Sequence, residues 1–253
     1  MNKEPLVIYW SPAINLSSSS IGEEMLYPEP TNLLHDLIKI RNKDSGPSSF
    51  FSCPAASGRM KKTFVFRNSL SSSYHYDFTD KENPVVIPTS KNYLDAKILR
   101  SSAFKEGGSI VLGLRYIFFS EEPVLGYISP PMMHEPKYTK SATAIPGAFD
   151  ISKWFRPFVM EVQTWKTQGD IFIEEDEPLF YFEAATEREV VLKRFEVNDK
   201  LMRYLDGCVQ APAKFGRYLP LRDRYKKFTE SRMNDLVLKE IKNNIVKDKN
   251  AKN

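Results

Sequence analysis

Cysteine is nearly absent: Cys53 and Cys208 are the only two in 253 residues. Two thiols build neither a disulfide framework nor a zinc site of cysteines alone. Both are expected to be reduced and partly buried, as free cysteines usually are. No apolar run of about eighteen residues occurs, so no segment reads as a membrane-spanning helix. The first apolar run, Leu6 to Trp10, is too short for the core of a secretory signal. The expected location is therefore a cytoplasm, the cell's own or that of a host. Phosphate loops are missing, because Gly107-Gly108 is a lone turn with no Gly-Lys-Ser/Thr after it. There is no Gly-x-Ser-x-Gly, and neither cysteine has a histidine close by in sequence, which removes the familiar nucleophile motifs. Histidine is scarce as well: His35, His75 and His134 are all there are.

What is present is an ordinary globular balance, 42% hydrophobic and 27% charged, which argues against disorder. Seventeen prolines against eleven glycines, with 13% aromatics, favour strands and loops over long helices. The net charge of +4 is uneven. Leu221 to Asn253 carries ten Lys and Arg against five Asp and Glu, so the rest of the chain sums to −1. A basic tail can touch nucleic acid or an acidic partner, but mixed signs and the lack of a basic block also fit a solvated helix face.

Periodicity outlines the elements. Leu6 to Trp10, Thr63 to Arg67, Val85 to Ile87 and Ala96 to Leu99 read as short strands. Thr31 can cap a helix over Asn32 to Arg41. Ser17 to Ser20, Asn42 to Ser49 and Ser69 to Ser73 read as loops. Tyr74, Tyr76 and Phe78 share one face of a strand, with His75 and Asp77 on the other. Ser109 to Phe119 reads as a central strand buried on both faces. Pro123 to Tyr138 is too rich in proline for ladder pairing. Trp154 to Lys166, Asp170 to Glu174, Pro178 to Ala184 and Glu189 to Arg194 follow as strands. Asn198 to Leu205 reads as a short helix, Gln210 to Leu221 as a loop, and the chain from Asp223 as one amphipathic helix. The fold class expected is mainly β: a single β-sandwich or partly closed β-barrel with a short N-terminal helix and a C-terminal amphipathic helix. The division expected is residues 1–205 as the β-rich domain and 206–253 as a loop and helical tail.

Certain short motifs carry a resemblance. Cys53-Pro54-Ala55, Trp154 to Phe158, Trp165-Lys166-Thr167 and Glu177 to Tyr181 occur in this order across roughly residues 50 to 195. In this the chain resembles a family of uncharacterised proteins of tailed bacteriophages and some bacteria. The resemblance implies a phage origin and a β fold, and carries over no catalytic residue. Phe149-Asp150, Met160-Glu161 and Ile171 to Phe182 are also similar in order to the closing strands of the trimeric deoxyuridine triphosphatase and deoxycytidine triphosphate deaminase fold. The glycine-rich nucleotide motifs of those enzymes are absent, so that likeness is one of architecture.

Three constellations could carry function. The run Glu174-Glu175-Asp176-Glu177 could offer oxygen ligands to a hard cation, or could simply be a charged hairpin turn. His75, Asp77 and His134 have the composition of the facial triad that holds Fe(II) in 2-oxoglutarate-dependent oxygenases. Against it, His134 lies among Pro130, Pro131 and Pro136, with no arginine at the usual distance after it to clamp a dicarboxylate; the nearest cations are Lys137 and Lys140. Trp154, Arg156 and Trp165 could form an aromatic–arginine binding surface, the residue types that dominate protein interfaces, or could pack in the core with Arg156 reaching water. The function expected is a non-enzymatic binding or assembly protein without a cofactor. It would have a protein partner, with nucleic acid reachable through the basic tail, and could form a homo-oligomer or enter a virion. The oxygenase and the nucleotide-handling enzyme are the alternatives.

Overall fold

The computed structural model describes residues 4–14, 27–40, 50–91, 96–99, 106–214 and 220–246. The loops expected at Ser17 to Ser20 and Asn42 to Ser49 lie outside the described residues. The molecule is mainly β, with 40% strand against 25% helix, so the expected fold class holds.

The largest sheet is built around β7 (Ser109–Ser120). Along one side β7 pairs with β1 (Leu6–Pro12) at its C-terminal half and β6 (Ala96–Leu99) at its N-terminal half. Along the other it pairs with β11 (Phe158–Thr164), which in turn pairs with β9 (Ala142–Ala144). Strand β14 (Val190–Arg194) closes the far edge, parallel to β1. A second sheet has the order β10 (Gly147–Asp150), β8 (Leu125–Ser129), β13 (Pro178–Ala184), β3 (Thr63–Arg67) and β2 (Thr31–Asn32). A third holds β12 (Gln168–Ile173), β4 (Ser72–Asp77) and β5 (Val85–Pro88).

The main core lies where these sheets face one another. Alternation sends Ile8 and Trp10 of β1, and Leu114, Tyr116 and Phe118 of β7, towards Phe64 and Phe66 of β3 and Phe180 and Phe182 of β13. Phe66 stacks on Phe180 at 4.8 Å and meets Trp10, Tyr116 and Phe118 edge-on. Such pairs add about 0.5–1.5 kcal/mol each beyond burial. Arg194 lies over the Trp10 ring, 5.3 Å from its centre, and ties the parallel edge strand to this core.

Two helical layers cover the outer faces. Helix α1 (Leu33–Ile40) and helix α2 (Pro54–Met60) pack Leu33, Leu37 and Met60 on Val65 and Tyr181 of the second sheet. On the far side of the large sheet, Tyr9, Ile117 and Phe119 meet α3 (Asp199–Lys214), α4 (Leu221–Glu230) and α5 (Met233–Asn243). Only the C-terminal half of β7 is buried on both faces, because Gly113 and Arg115 remain exposed.

Several expectations need correction. Asn32, not Thr31, caps α1, its Oδ1 accepting from the backbone N–H of Leu34 and His35. Helix α2 was not foreseen, although Pro54 sits where a first-turn proline suits a helix. The proline-rich stretch contains β8, because its five strand residues stop just before Pro130. Helix α3 runs past the expected end at Leu205 to Lys214, into the stretch expected as a loop from Gln210. The C-terminal helix is two helices, broken at Arg232, whose φ of 54° is left-handed. The acidic run is not a hairpin turn: β12 and β13 on either side of it belong to different sheets.

Since Phe66 touches four other rings, Phe66→Ala is expected to destabilise the fold by about 3–5 kcal/mol, read as a lowered urea midpoint.

Candidate functional site

Each polar constellation proposed from the sequence is engaged in a local structural contact. On β4, Tyr74 and Tyr76 take the buried face, which turns His75 and Asp77 outward. His75 Nδ1 lies 2.9 Å from Asp170 Oδ1 of β12. Asp77 Oδ1 accepts from the Thr79 hydroxyl at 2.6 Å and its backbone N–H at 2.8 Å, and these bonds hold its carboxyl below the usual range. His134 lies in the proline-rich loop after β8 and contacts another carboxylate, Asp36 of α1. The structure therefore does not assemble His75, Asp77 and His134 into a triad. Among the described residues no three His, Cys, Asp or Glu side chains are placed to share a metal ion.

The carboxylates of the acidic run diverge. Glu174 pairs with the Lys137 ammonium. Glu177 accepts from the backbone N–H of Lys137 at 2.6 Å and of Glu174 at 2.8 Å. Asp176, at a left-handed φ of 61°, offers its carbonyl to Arg67. The run ties the crossing between two sheets to the turn at Lys137–Lys140.

His134 sits in a closed polar clamp. Its Nε2 lies 2.8 Å from Asp36 Oδ2, which also accepts from Arg67 Nη2 at 2.6 Å. With the Asp36 carboxylate accepting, Nε2 carries the proton and Nδ1 accepts from the Tyr181 hydroxyl, whose oxygen accepts the Met133 backbone N–H. Burial pushes the Tyr181 phenol well above its ordinary value, so it is no activated nucleophile. Tyr181 is 3% exposed, which leaves a substrate no access to this cluster. The clamp joins α1, β3, β13 and the proline-rich loop.

The aromatic–arginine surface separates into two places. Residues 154–157 form no strand; β11 begins only at Phe158. Pro157 favours extended backbone at Arg156 and supplies no N–H for pairing. Trp165 lies beyond the other end of β11, about 20 Å away at ordinary strand rise. It is 51% exposed, and its Nε1 donates to the Thr139 carbonyl at 3.0 Å. Arg156 is exposed beside Tyr225. Trp154 is 5% exposed and packs on Tyr225 at 4.6 Å and Phe228 at 6.5 Å, both on α4.

Around Trp154 is an apolar cleft of about 600 Å³. Helix α3 presents Arg203, Tyr204, Gly207 and Cys208 to it, a spacing that places them on one face. Helix α4 presents Arg224, Lys227 and Phe228. Burial pushes the Cys208 thiol up to about 11, so it is a packing group and not a thiolate. The Trp154 indole Nε1 is buried with no acceptor among the described residues. Sequence reasoning found Trp154 but missed Arg203, Gly207, Arg224 and Lys227, because the cleft needs two helices, each packed on α5, to meet around Trp154. The amphipathic pattern of each helix was the only available signal.

Compared with known proteins, the chain matches no protein-family model and no curated sequence. Among the described residues no helix is long and apolar enough to cross a membrane.

Burial outweighs the Asp36 contact and lowers the pKa of His134 below about 6.5, its usual value. A depressed histidine contributes stability that is complete above that value and is lost as pH falls through it towards the folded pKa. Urea unfolding at pH 7.5 and pH 5 should therefore show an acid loss that shrinks in His134→Gln; an unchanged loss would place its origin elsewhere.

Proposed function

We propose that this chain is a non-enzymatic binding or assembly protein, and that its partner, another protein, docks at the cleft between α3 and α4. The observation that carries the reading is the Trp154-walled cleft itself: a mostly apolar hollow of about 600 Å³ with a few charged groups at its rim. Hollows of this size and lining are the usual form of a binding site. By contrast, His75, Asp77 and His134 are held in separate local contacts. Nucleic acid is the weaker partner for the helical layer. Lys242 pairs with Glu121 at 2.7 Å and Lys226 with Glu230 at 3.7 Å, which neutralises part of its positive charge. The motif resemblance supplies the setting on this reading, a phage-encoded protein acting in a host cytoplasm.

Gly207 provides a clean test. It lines the cleft, and a Cβ there would meet nothing within 4 Å. Gly207→Leu should fill the cleft while raising helix stability by up to about 1 kcal/mol. Affinity purification from the native cells should recover a partner with the wild type and lose it with Gly207→Leu, at an unchanged or higher melting temperature. Identical co-purifying proteins for the two forms would refute the assignment.

A further inference from the structure

We infer that residues 131–135 form a strap that His134 fastens to Tyr181 at neutral pH and that opens in acid, while α1 and the sheets stay folded. The strap lies at the second sheet, and the inference stands whether or not the cleft beside Trp154 binds a partner.

Few groups hold the strap. The backbone N–H groups of Met132 and His134 donate inside the loop, to the carbonyls of Pro130 at 2.9 Å and Pro131 at 3.1 Å. Among the described residues, every hydrogen bond from residues 132–135 to another element runs through Tyr181 or Asp36. The Met133 N–H and His134 Nδ1 meet the Tyr181 hydroxyl, and His134 Nε2 meets Asp36. Met132 and Met133 are exposed, as is Glu135, so their side chains anchor the loop weakly. The His134 side chain, 7% exposed, stands edge-on to the Tyr181 ring at 5.7 Å. Both ends of the loop are fixed independently of His134. Strand β8 ends at Ser129, and beyond residue 136 Lys137 is bonded to Glu177 and Tyr138 to the Leu179 carbonyl.

The protons in this cluster leave no place for one more. Asp36 of α1, Arg67 of β3 and Tyr181 of β13 face the imidazole. Asp176 lies behind Arg67, 3.8 Å from it, with its own side chain in water. Neutral His134 donates at Nε2 to Asp36 and accepts at Nδ1 from Tyr181. A second proton can go only to Nδ1. The Tyr181 oxygen would then face two donors, Nδ1–H and the Met133 N–H, and its own hydrogen would lose its acceptor. A buried donor left without an acceptor is costly, and Tyr181 is buried. The new charge would also share one carboxylate, Asp36, with the Arg67 guanidinium.

Opening the strap removes both costs, because it carries His134 and the Tyr181 hydroxyl into water. The open form therefore binds the proton more tightly, and falling pH favours it. Burial outweighing the attraction of Asp36 acts in the same direction. Helix α1 needs no part of this bond, since Asp36 keeps Arg67 at 2.6 Å and Leu33 and Leu37 keep Val65 and Met60. Acid would thus bare Tyr181 beside the already exposed Met132 and Met133. The opening is local and comes before the global unfolding that urea reports.

Amide hydrogen exchange of the full chain, followed by NMR, tests the strap. The protection factor of the Met133 amide should be level above about pH 7. It should begin to fall near pH 6.5 and be about threefold to thirtyfold lower at pH 5, as one linked proton allows. Adding 1 M urea should leave this exchange unchanged, because a small opening exposes little surface, while the amides of β7 respond. In His134→Gln the pH dependence should disappear. Unchanged protection at pH 5, exchange as sensitive to urea as that of β7, or the same acid loss in His134→Gln would each overturn the inference. Should glutamine fail to hold the strap even at pH 7.5, the wild-type profile decides. A fall beginning near pH 6.5 upholds the strap; one beginning only below about pH 4.5, where carboxylates titrate, overturns it.

Discussion

Strand Ser109–Ser120 sends Tyr116 and Phe118 into one core and Ile117 and Phe119 into another. Its C-terminal half is therefore shared by two hydrophobic layers, and no residue there can change face without disturbing both. A shift of one residue in its pairing with Leu6–Pro12 would exchange every one of those side chains between layers. The rest of the molecule is arranged around that constraint. The two smaller sheets cover one side and the C-terminal helices the other, so the helical layer is fixed through Phe119, Phe155 and Phe195 rather than appended as a tail.

The same arrangement explains where binding chemistry can reside. Between the sheets the aromatic rings pack on one another. The polar groups behind the second sheet are used up in joining Asp36, Arg67, His134 and Tyr181. A buried network of this kind specifies one packing of helix on sheet, and it is costly to leave half-made. The helical layer is different, because α3 and α4 each pack on α5 and leave a hollow between them where Gly207 has no side chain. Trp154 contributes a wall to that hollow because Pro157 delays the start of the next strand.

Legibility from the sequence tracked the range of the interactions involved. The strands at Thr63–Arg67, Ala96–Leu99 and Pro178–Ala184 have the bounds their composition implied, since β-branched and aromatic alternation is a local property. Tyr74 and Tyr76 face inward, and His75 and Asp77 outward, as period two requires. The acidic run was misread because a charged turn between two strands looks alike whether the strands pair or diverge into separate sheets. The C-terminal helix was read as continuous because the apolar spacing barely changes at Arg232, where a single left-handed residue breaks it.

Two of the three residues in the proposed aromatic–arginine surface lie near each other, and the third does not. Nothing local distinguishes Trp154, packed on Tyr225, from Trp165, bonded to the Thr139 carbonyl. The sequence by itself determined a mainly β chain, its strand faces and the amphipathic character of its helices, because these follow from alternation and helical spacing over a few residues. Tertiary structure alone decided that Arg203, Arg224 and Lys227 would ring Trp154, and that His75 and His134 would pair with different carboxylates. Those outcomes depend on which elements pack together, and contacts between residues far apart in the chain leave no periodic trace in it.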